Sequence, residues 1–171
     1  MDEQNIAIVN QNDEIIAYQD KLKVHEKGIL HRAFSIFIFN EKNEILLQQR
    51  AFSKYHSPGL WTNSCCSHAI EGEEFSQTIH SRLIEEMGMD CDLHFKFSFQ
   101  YRYTFENGLT ENEIDHVYFG YCSVNPNPNS DEVNDYRWAS ISEIRHQIES
   151  NPENFTYWFK FIFERVAMLV Q

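Results

Sequence analysis

The segment at residues 61–68, with the sequence WTNSCCSH, most constrains how this chain can fold. It follows a Ser-Pro-Gly turn and precedes a helix-like run, and its residues suit an extended backbone, so we predict a strand. Successive side chains of a strand point to opposite faces, so Cys66 and His68 share one face and Cys65 points away. A thiol beside an imidazole indicates either a nucleophile with its base, or a base with a metal ligand.

Composition and charge exclude several classes of protein. The chain has 171 residues, which is typical of one domain with one core, and we expect a single domain over residues 1–171. The formal net charge of −12 disfavours nonspecific binding to nucleic acid, which needs a basic surface. No run approaches the roughly 18 apolar residues of a membrane span, and the start lacks the layout of a signal peptide. The four cysteines do not form the pattern of a disulfide framework. We therefore expect a cytoplasmic protein with reduced thiols, no membrane or nucleic-acid partner, and a monomeric state.

Hydrophobic periodicity predicts an α+β fold. Alternating apolar residues and turn signals predict strands at residues 6–9, 15–18, 31–39, 44–50, 95–105, 113–124 and 136–139. Apolar residues at helical spacing predict helices at residues 75–87, 141–148 and 155–170, with one helical turn near 21–28. We expect strand 44–50 to be the antiparallel partner of strand 31–39, and the six aromatic residues of 95–105 to share one face. The order of elements predicts a mixed β-sheet with helices on both faces, an α/β/α sandwich.

Five imidazole and carboxylate side chains form a candidate metal site. Glu111 and Glu113 are two residues apart on a strand, so both carboxylates face one way. His31 begins a buried strand, His25 precedes it by six residues, and His68 lies on the cysteine strand. Imidazole with carboxylate suits Zn, Mn or Fe, and five ligands exceed the four of a structural zinc site. A lone histidine is more often a surface or capping residue than a metal ligand, so spacing alone leaves both interpretations open.

A second candidate group combines acids and bases around the helix at 75–87. Glu85 and Glu86 lie one turn from Arg82, where Mg²⁺ could bridge to a diphosphate. The alternative is a solvated helix face with an ion pair worth about 0.2–0.5 kcal/mol. Four basic side chains could form a local anion site in this acidic protein, although each alone is an ordinary surface residue: Lys21, Arg50, Lys54 and Arg82. Three aromatic side chains either pack in the core or steady a cation: Trp61, Tyr101 and Trp158.

Three separated motifs carry a resemblance to a known family. They are His25-x5-His31-Arg32-Ala33-Phe34-Ser35, Trp61-Thr62-Asn63-Ser64-x-Cys66-x-His68 and Glu111-Asn112-Glu113. In this order they resemble the type I isopentenyl-diphosphate isomerases, over roughly residues 21–158. The region around helix 75–87 resembles a degenerate Nudix box, and the resemblance implies a Nudix-type fold. Ser67, Ser81 and Arg82 replace the Gly, Arg and Glu of that box, which weakens a hydrolase interpretation because hydrolases hold their catalytic metals with that glutamate-rich helix.

The resemblance implies the reversible conversion of isopentenyl diphosphate into dimethylallyl diphosphate through a carbocation. The implied ligands of one divalent metal (Mn²⁺, Zn²⁺ or Mg²⁺) are His25, His31, His68, Glu111 and Glu113. Glu86 would reach an Mg²⁺ on the diphosphate, and the implied anion-binding residues are Lys21, Arg50, Lys54 and Arg82.

The implied chemistry needs an acid and a base on opposite sides of a flat substrate. Cys66 and Glu113 are the candidates, with Tyr101 assisting proton transfer and Trp158 stabilising the cation. We expect nearby positive charge to lower the pKa of the Cys66 thiol. No dinucleotide fingerprint is present, so we expect neither flavin nor nicotinamide. The alternatives are a Nudix pyrophosphohydrolase acting on a nucleoside diphosphate derivative, and a noncatalytic metal-binding domain.

Overall fold

The structure is a computed structural model that describes residues 4–170. The elements, in chain order, are β1 (Asn5–Val9), β2 (Ile15–Asp20), α1 (Lys21–Lys27), β3 (His31–Phe39), β4 (Ile45–Arg50), β5 (Trp61–Thr62), β6 (Cys65–His68), α2 (Phe75–Met87), β7 (Leu93–Thr104), β8 (Thr110–Tyr121), β9 (Val133–Ala139), α3 (Ile141–Ser150) and α4 (Tyr157–Val170). A 3₁₀ turn at Pro152–Asn154 precedes α4, so that helix begins two residues later than its apolar pattern predicts. Within the described range no helix is long and apolar enough to cross a membrane.

Strand β3 is the centre of a mixed sheet. It pairs in parallel with β8 over nine positions and antiparallel with β1 and β6. Ile36 and Ile38 pack on one face with α2, whereas Phe37 and Phe39 pack on the other with α3 and α4. Burial on both faces explains why the strand is almost continuously apolar. The predicted α+β architecture, a mixed sheet with helices on both faces, is confirmed.

The expected partner of β4 is wrong for most of its length. β4 pairs with β3 only where Phe39 faces Ile45, and its long partner is β9, which begins at Val133 rather than at residue 136. β6 and β8 pair with the two edges of β3 beyond the turn, so neither edge is left there for β4.

The predicted single strand at 61–68 is divided in two at Asn63 and Ser64. The Ser64 hydroxyl accepts from the Ile38 N–H at 2.9 Å and donates to the Leu46 carbonyl at 2.7 Å. The Asn63 amide donates to the carbonyls of Ile36 and Cys65. These side-chain hydrogen bonds take the place of backbone hydrogen bonds between strands. The chain can therefore pair with β4 through β5 and then with β3 through β6.

The expectation that all six aromatic residues of 95–105 share one face is also wrong. The register of β7 on β8 shifts at Lys96, so Phe95 lies opposite Tyr118 while Phe97 lies opposite Val117. A bulge of one residue moves every side chain that precedes it on the strand to the opposite face of the sheet. Phe95 is therefore 54% exposed, whereas Phe97 packs in the core.

Candidate active site

One cleft brings together almost every side chain that the sequence singled out. It is a narrow cleft with a cavity volume of about 60 Å³. The predicted residues that line it are Lys21, Arg50, Lys54, Cys66, His68, Arg82, Glu86, Tyr101, Glu111, Glu113 and Trp158. His25 and His31 are fully buried, and both lie against Glu111. As predicted, Cys66 and His68 face this cleft, while Cys65 is buried in the core cluster beneath α2.

Strand register explains how distant residues meet in a group that could hold a metal ion. His31 lies directly opposite Glu113 in the parallel β3–β8 pair, and Ala33 lies opposite His68 in the β3–β6 pair. Five buried donor atoms lie within 4.8 Å of one another, one from each of His25, His31, His68, Glu111 and Glu113. Imidazole nitrogens and carboxylate oxygens in one buried group are a donor set for a divalent metal.

The ring orientations of two histidines suit metal coordination. His25 Nδ1 lies 2.6 Å from the Lys21 carbonyl, and His31 Nδ1 lies 2.8 Å from the Ile29 carbonyl. Each Nδ1–H therefore donates to the backbone, which turns the Nε2 lone pair inward as in known histidine ligands. His31 Nε2 lies 3.4 Å from a carboxylate oxygen of both Glu111 and Glu113, yet it forms no hydrogen bond within the described chain. The residues present therefore fit a divalent metal.

The two carboxylates of this group differ in pKa. Burial opposes ionisation of Glu111, but the neighbouring imidazoles of His25, His31 and His56 hold its pKa well below the usual value. Burial, together with the charge of Glu111, raises the pKa of Glu113 to about 7. Tyr101 lies opposite Glu113 on the neighbouring strand, and burial raises its pKa, so its hydroxyl is neutral.

The basic side chains line the cleft beside Glu86. Arg82 donates to Glu86 at 2.8 Å and to the more exposed Glu85 at 2.6 Å. Gln48 also donates to Glu86, at 3.0 Å, and so fixes the second oxygen of that carboxylate. The Arg50 guanidinium lies 5.5 Å from the centre of the Trp158 ring.

Several residues singled out from the sequence lie outside the cleft. Trp61 packs against the core, and the Arg137 guanidinium lies 4.5 Å from its ring. Glu85 is also absent from the lining, so of the two adjacent acids only Glu86 faces the cleft.

Four titratable residues of the cleft were not singled out from the sequence. His56 Nε2 lies 3.1 Å from Glu111, and Glu132 contacts both Lys54 and Arg82. Tyr55 and the buried Asp115 also line the cleft. Asp115 could have been found, because Glu111, Glu113 and Asp115 follow the two-residue period of a strand. His56, Tyr55 and Glu132 lie in loops, where no periodicity indicates which side chains turn inward.

The Cys66 thiol is held in its neutral form. Its sulfur lies 3.1 Å from Asn63 Oδ1, to which the S–H donates. Burial, with a further contribution from the charge of Asp115, raises the pKa of Cys66 to about 12. The expectation that nearby positive charge lowers this pKa is therefore wrong, because burial and two carboxylates outweigh Arg50.

This pKa predicts how Cys66 reacts in the metal-free protein. Only about one thiol in 10⁴ is ionised at pH 8 when the pKa is about 12. Because the thiolate is the nucleophile, we expect the rate of alkylation by iodoacetamide to be slow and to rise through pH 9 without levelling off. Mass spectrometry of the Cys66 peptide in a Cys65→Ala background measures the rate. A plateau between pH 8 and pH 9 would contradict the assignment.

Comparison with known proteins defines the class of this fold. The family model for the NUDIX domain matches residues 29–159. The crystal structure of DR0079 from Deinococcus radiodurans aligns with a TM-score of 0.78 at 16% identity, covering 94% of this chain and 98% of that one. The MutT protein from Methanosarcina mazei Go1 aligns with a TM-score of 0.65 at 20% identity, covering 81% and 94%. The fold is that of a NUDIX-domain protein.

Sequence relatives identify the family of this chain within the NUDIX class. The isopentenyl-diphosphate Delta-isomerase of Pectobacterium atrosepticum is 47% identical over 161 residues, which is 94% of this chain and 90% of that protein. Isopentenyl-diphosphate Delta-isomerase 2 of Photorhabdus laumondii is 48% identical over 155 residues, covering 91% and 88%. The chain belongs to the isopentenyl-diphosphate Delta-isomerase family within the NUDIX class, as its three motifs predict.

Proposed function

We propose that this chain interconverts isopentenyl diphosphate and dimethylallyl diphosphate by moving a double bond. One observation carries the proposal. A thiol, a buried His/Glu group and four basic side chains line or adjoin a single cleft. The names of the sequence relatives support the same substrate pair.

The diphosphate would bind at the basic end of the cleft, beside Glu86. Mg²⁺ in proteins takes one or two carboxylates together with phosphate oxygens, so Glu86 would hold an Mg²⁺ that also binds the diphosphate. The hydrogen bonds from Gln48 and Arg82 support this role, because they fix the carboxylate in the cleft. The side chains that would bind the diphosphate directly are Lys21, Arg50, Lys54 and Arg82.

The hydrocarbon end would lie between Cys66 and Glu113. A divalent metal (Mn²⁺, Zn²⁺ or Mg²⁺) in the group that includes Glu113 would supply positive charge that orients and neutralises the two carboxylates. An unactivated alkene is a weak base, so the proton donor must be sheltered from water. The burial of Glu113 and Tyr101 supports that requirement.

The proposed reaction adds one proton to the substrate and removes one, so it needs no net supply of protons. One of Cys66 and Glu113 adds a proton to the terminal carbon, which leaves a tertiary carbocation, and the other removes a proton from C2. The pair exchanges roles in the reverse direction. Tyr101 would assist proton transfer at Glu113, since the two face each other across β7 and β8. The Trp158 ring lines the same cleft and would stabilise the cation through its face. No redox cofactor enters this balance.

The pyrophosphohydrolase alternative is not favoured. Arg82 stands where the Nudix box of a hydrolase has a glutamate that helps to hold the catalytic metals, and it forms an ion pair with Glu85. The sequence relatives also carry the isomerase name. Free thiols at all four cysteines of the described chain are consistent with a cytoplasmic location.

Incubation of the protein with isopentenyl diphosphate, Mg²⁺ and Mn²⁺ tests the proposal directly. Proton and phosphorus NMR should show dimethylallyl diphosphate accumulating to an equilibrium mixture with no release of phosphate. Release of phosphate or pyrophosphate without the isomer would contradict the proposal and favour a hydrolase. Metal and substrate binding without turnover would contradict it in favour of a noncatalytic domain.

A further inference from the structure

His56 lies in the loop between β4 and β5, the loop that also carries Lys54. Although it is a loop residue, it is only 7% exposed. Its ring stacks on Phe105 with ring centres 4.6 Å apart and stands edge-on to Trp158 at 5.8 Å. The loop therefore holds the His56 imidazole inside the protein, against the wall of the cleft.

The two oxygens of the Glu111 carboxylate have different partners. Oε2 lies 3.0 Å from His25 Nε2 and 3.4 Å from His31 Nε2. Oε1 lies 3.1 Å from His56 Nε2. One oxygen thus faces the candidate metal ligands, while the other is held from outside that group by His56.

The hydrogen-bond environment assigns the tautomer of His56. Nε2 faces a carboxylate, which accepts and does not donate, whereas Nδ1 is buried with no partner among residues 4–170. A proton on Nε2 satisfies the carboxylate and leaves only a bare lone pair on Nδ1. The contact of 3.1 Å therefore brings the His56 Nε2–H against Glu111 Oε1.

We propose that His56 is a positioning residue of the metal site, which fixes the Glu111 carboxylate so that Oε2 faces the metal. The proposal rests on the proposed function only in requiring that the His/Glu group binds a divalent metal. Hydrogen bonds to the free atom of a metal ligand hold it in its coordinating orientation, and their loss typically weakens metal binding about 10–100-fold. Since His56 and Lys54 share one loop, the same contact would link Lys54, which would bind the diphosphate, to the metal site.

The first test replaces His56 with phenylalanine, which keeps the stacking on Phe105 but cannot donate to Glu111. Affinity for Mn²⁺ alone is measured by competition with a chromophoric chelator, without substrate and without an activity assay. We expect His56→Phe to bind Mn²⁺ about 10–100-fold more weakly than the wild type. His94→Phe is the matched control, since His94 is exposed on β7 away from the group, and its affinity should not change.

A second pair of variants separates the hydrogen bond from packing. The side-chain nitrogen of His56→Gln reaches approximately the position of Nε2, whereas that of His56→Asn is one methylene too short. We expect the Gln variant to bind Mn²⁺ nearly as tightly as the wild type, and the Asn variant to bind it as weakly as the Phe variant. This comparison stands even if His56→Phe does not fold.

The possible failures are distinguishable. Equal Mn²⁺ affinity in the wild type and in the Phe and Asn variants would overturn the role of His56 and leave the metal site intact. Equal weakening in the Gln and Asn variants would also overturn it, because packing would then be the cause. A wild-type protein that binds no Mn²⁺, or whose affinity is unchanged by Glu111→Ala, would overturn both this inference and the metal site of the proposed function.

Discussion

Replacing Cys66 with alanine should lower the rate of isomerisation by about 10²–10⁴-fold, because the reaction needs both a proton donor and a proton acceptor. The fold and the metal content should be unchanged, since Cys66 is at the edge of the core and outside the His/Glu group. Steady-state kinetics by NMR or by a coupled assay gives the rate, and metal analysis gives the content. Cys66→Ser should behave in the same way, because a hydroxyl is a much weaker acid than a thiol.

The neighbouring cysteine is the matched control for this experiment. Cys65 is fully buried in the cluster beneath α2, with its side chain on the face opposite that of Cys66. Cys65→Ala should retain near-normal turnover, with at most a modest loss of stability from the lost packing. A Cys65 variant without activity beside an active Cys66 variant would show that the strand faces are assigned wrongly.

Removal of divalent metal is the second change with a large expected effect. Chelation should abolish turnover, because Glu111 and Glu113 would lose the charge that orients them beside the substrate. Addition of Mn²⁺ or Zn²⁺ together with Mg²⁺ should restore it. Turnover that persists after complete removal of metal would contradict the five-ligand proposal.

A stability measurement checks the same metal site without substrate. A ligand that binds only the folded state stabilises it by RT ln(1 + [L]/Kd), about 2.7 kcal/mol at one hundred times Kd. We therefore expect the midpoint of thermal unfolding to rise when metal is added to the metal-free protein. His68→Ala should remove most of this rise, whereas His80→Ala should keep it, because His80 lies on the exposed face of α2.

The elements with a strong period could be predicted from the sequence. Helix α2 begins and ends at the predicted residues, since its apolar positions keep helical spacing and Gly88 ends it in the left-handed conformation. Irregular features of the strands leave no periodic pattern in the sequence. The bulge at Lys96 and the break at Asn63 depend on tertiary hydrogen bonds and pairing competition, which a local pattern does not contain.

The same distinction holds for the candidate site, whose strand residues could be predicted from the sequence and whose loop residues could not. Motifs on strands located His31, His68 and Glu113, because register converts sequence spacing into a shared face. His56 was missed because its position depends on how a loop packs on Phe105. The pKa of Cys66 was predicted in the wrong direction, since the sequence shows that basic residues are present but not how deeply the thiol is buried.

The central claim is that Cys66 and Glu113 exchange protons with the five-carbon chain of an isoprenoid diphosphate. The most direct test is to run the reaction in D₂O and to locate deuterium by NMR and mass spectrometry. We predict deuterium in a methyl group of dimethylallyl diphosphate and, through the reverse reaction, in recovered isopentenyl diphosphate, with both signals lost in Cys66→Ala. Isomer formed without deuterium, or deuterium incorporated equally by the Cys66→Ala variant, would contradict the account.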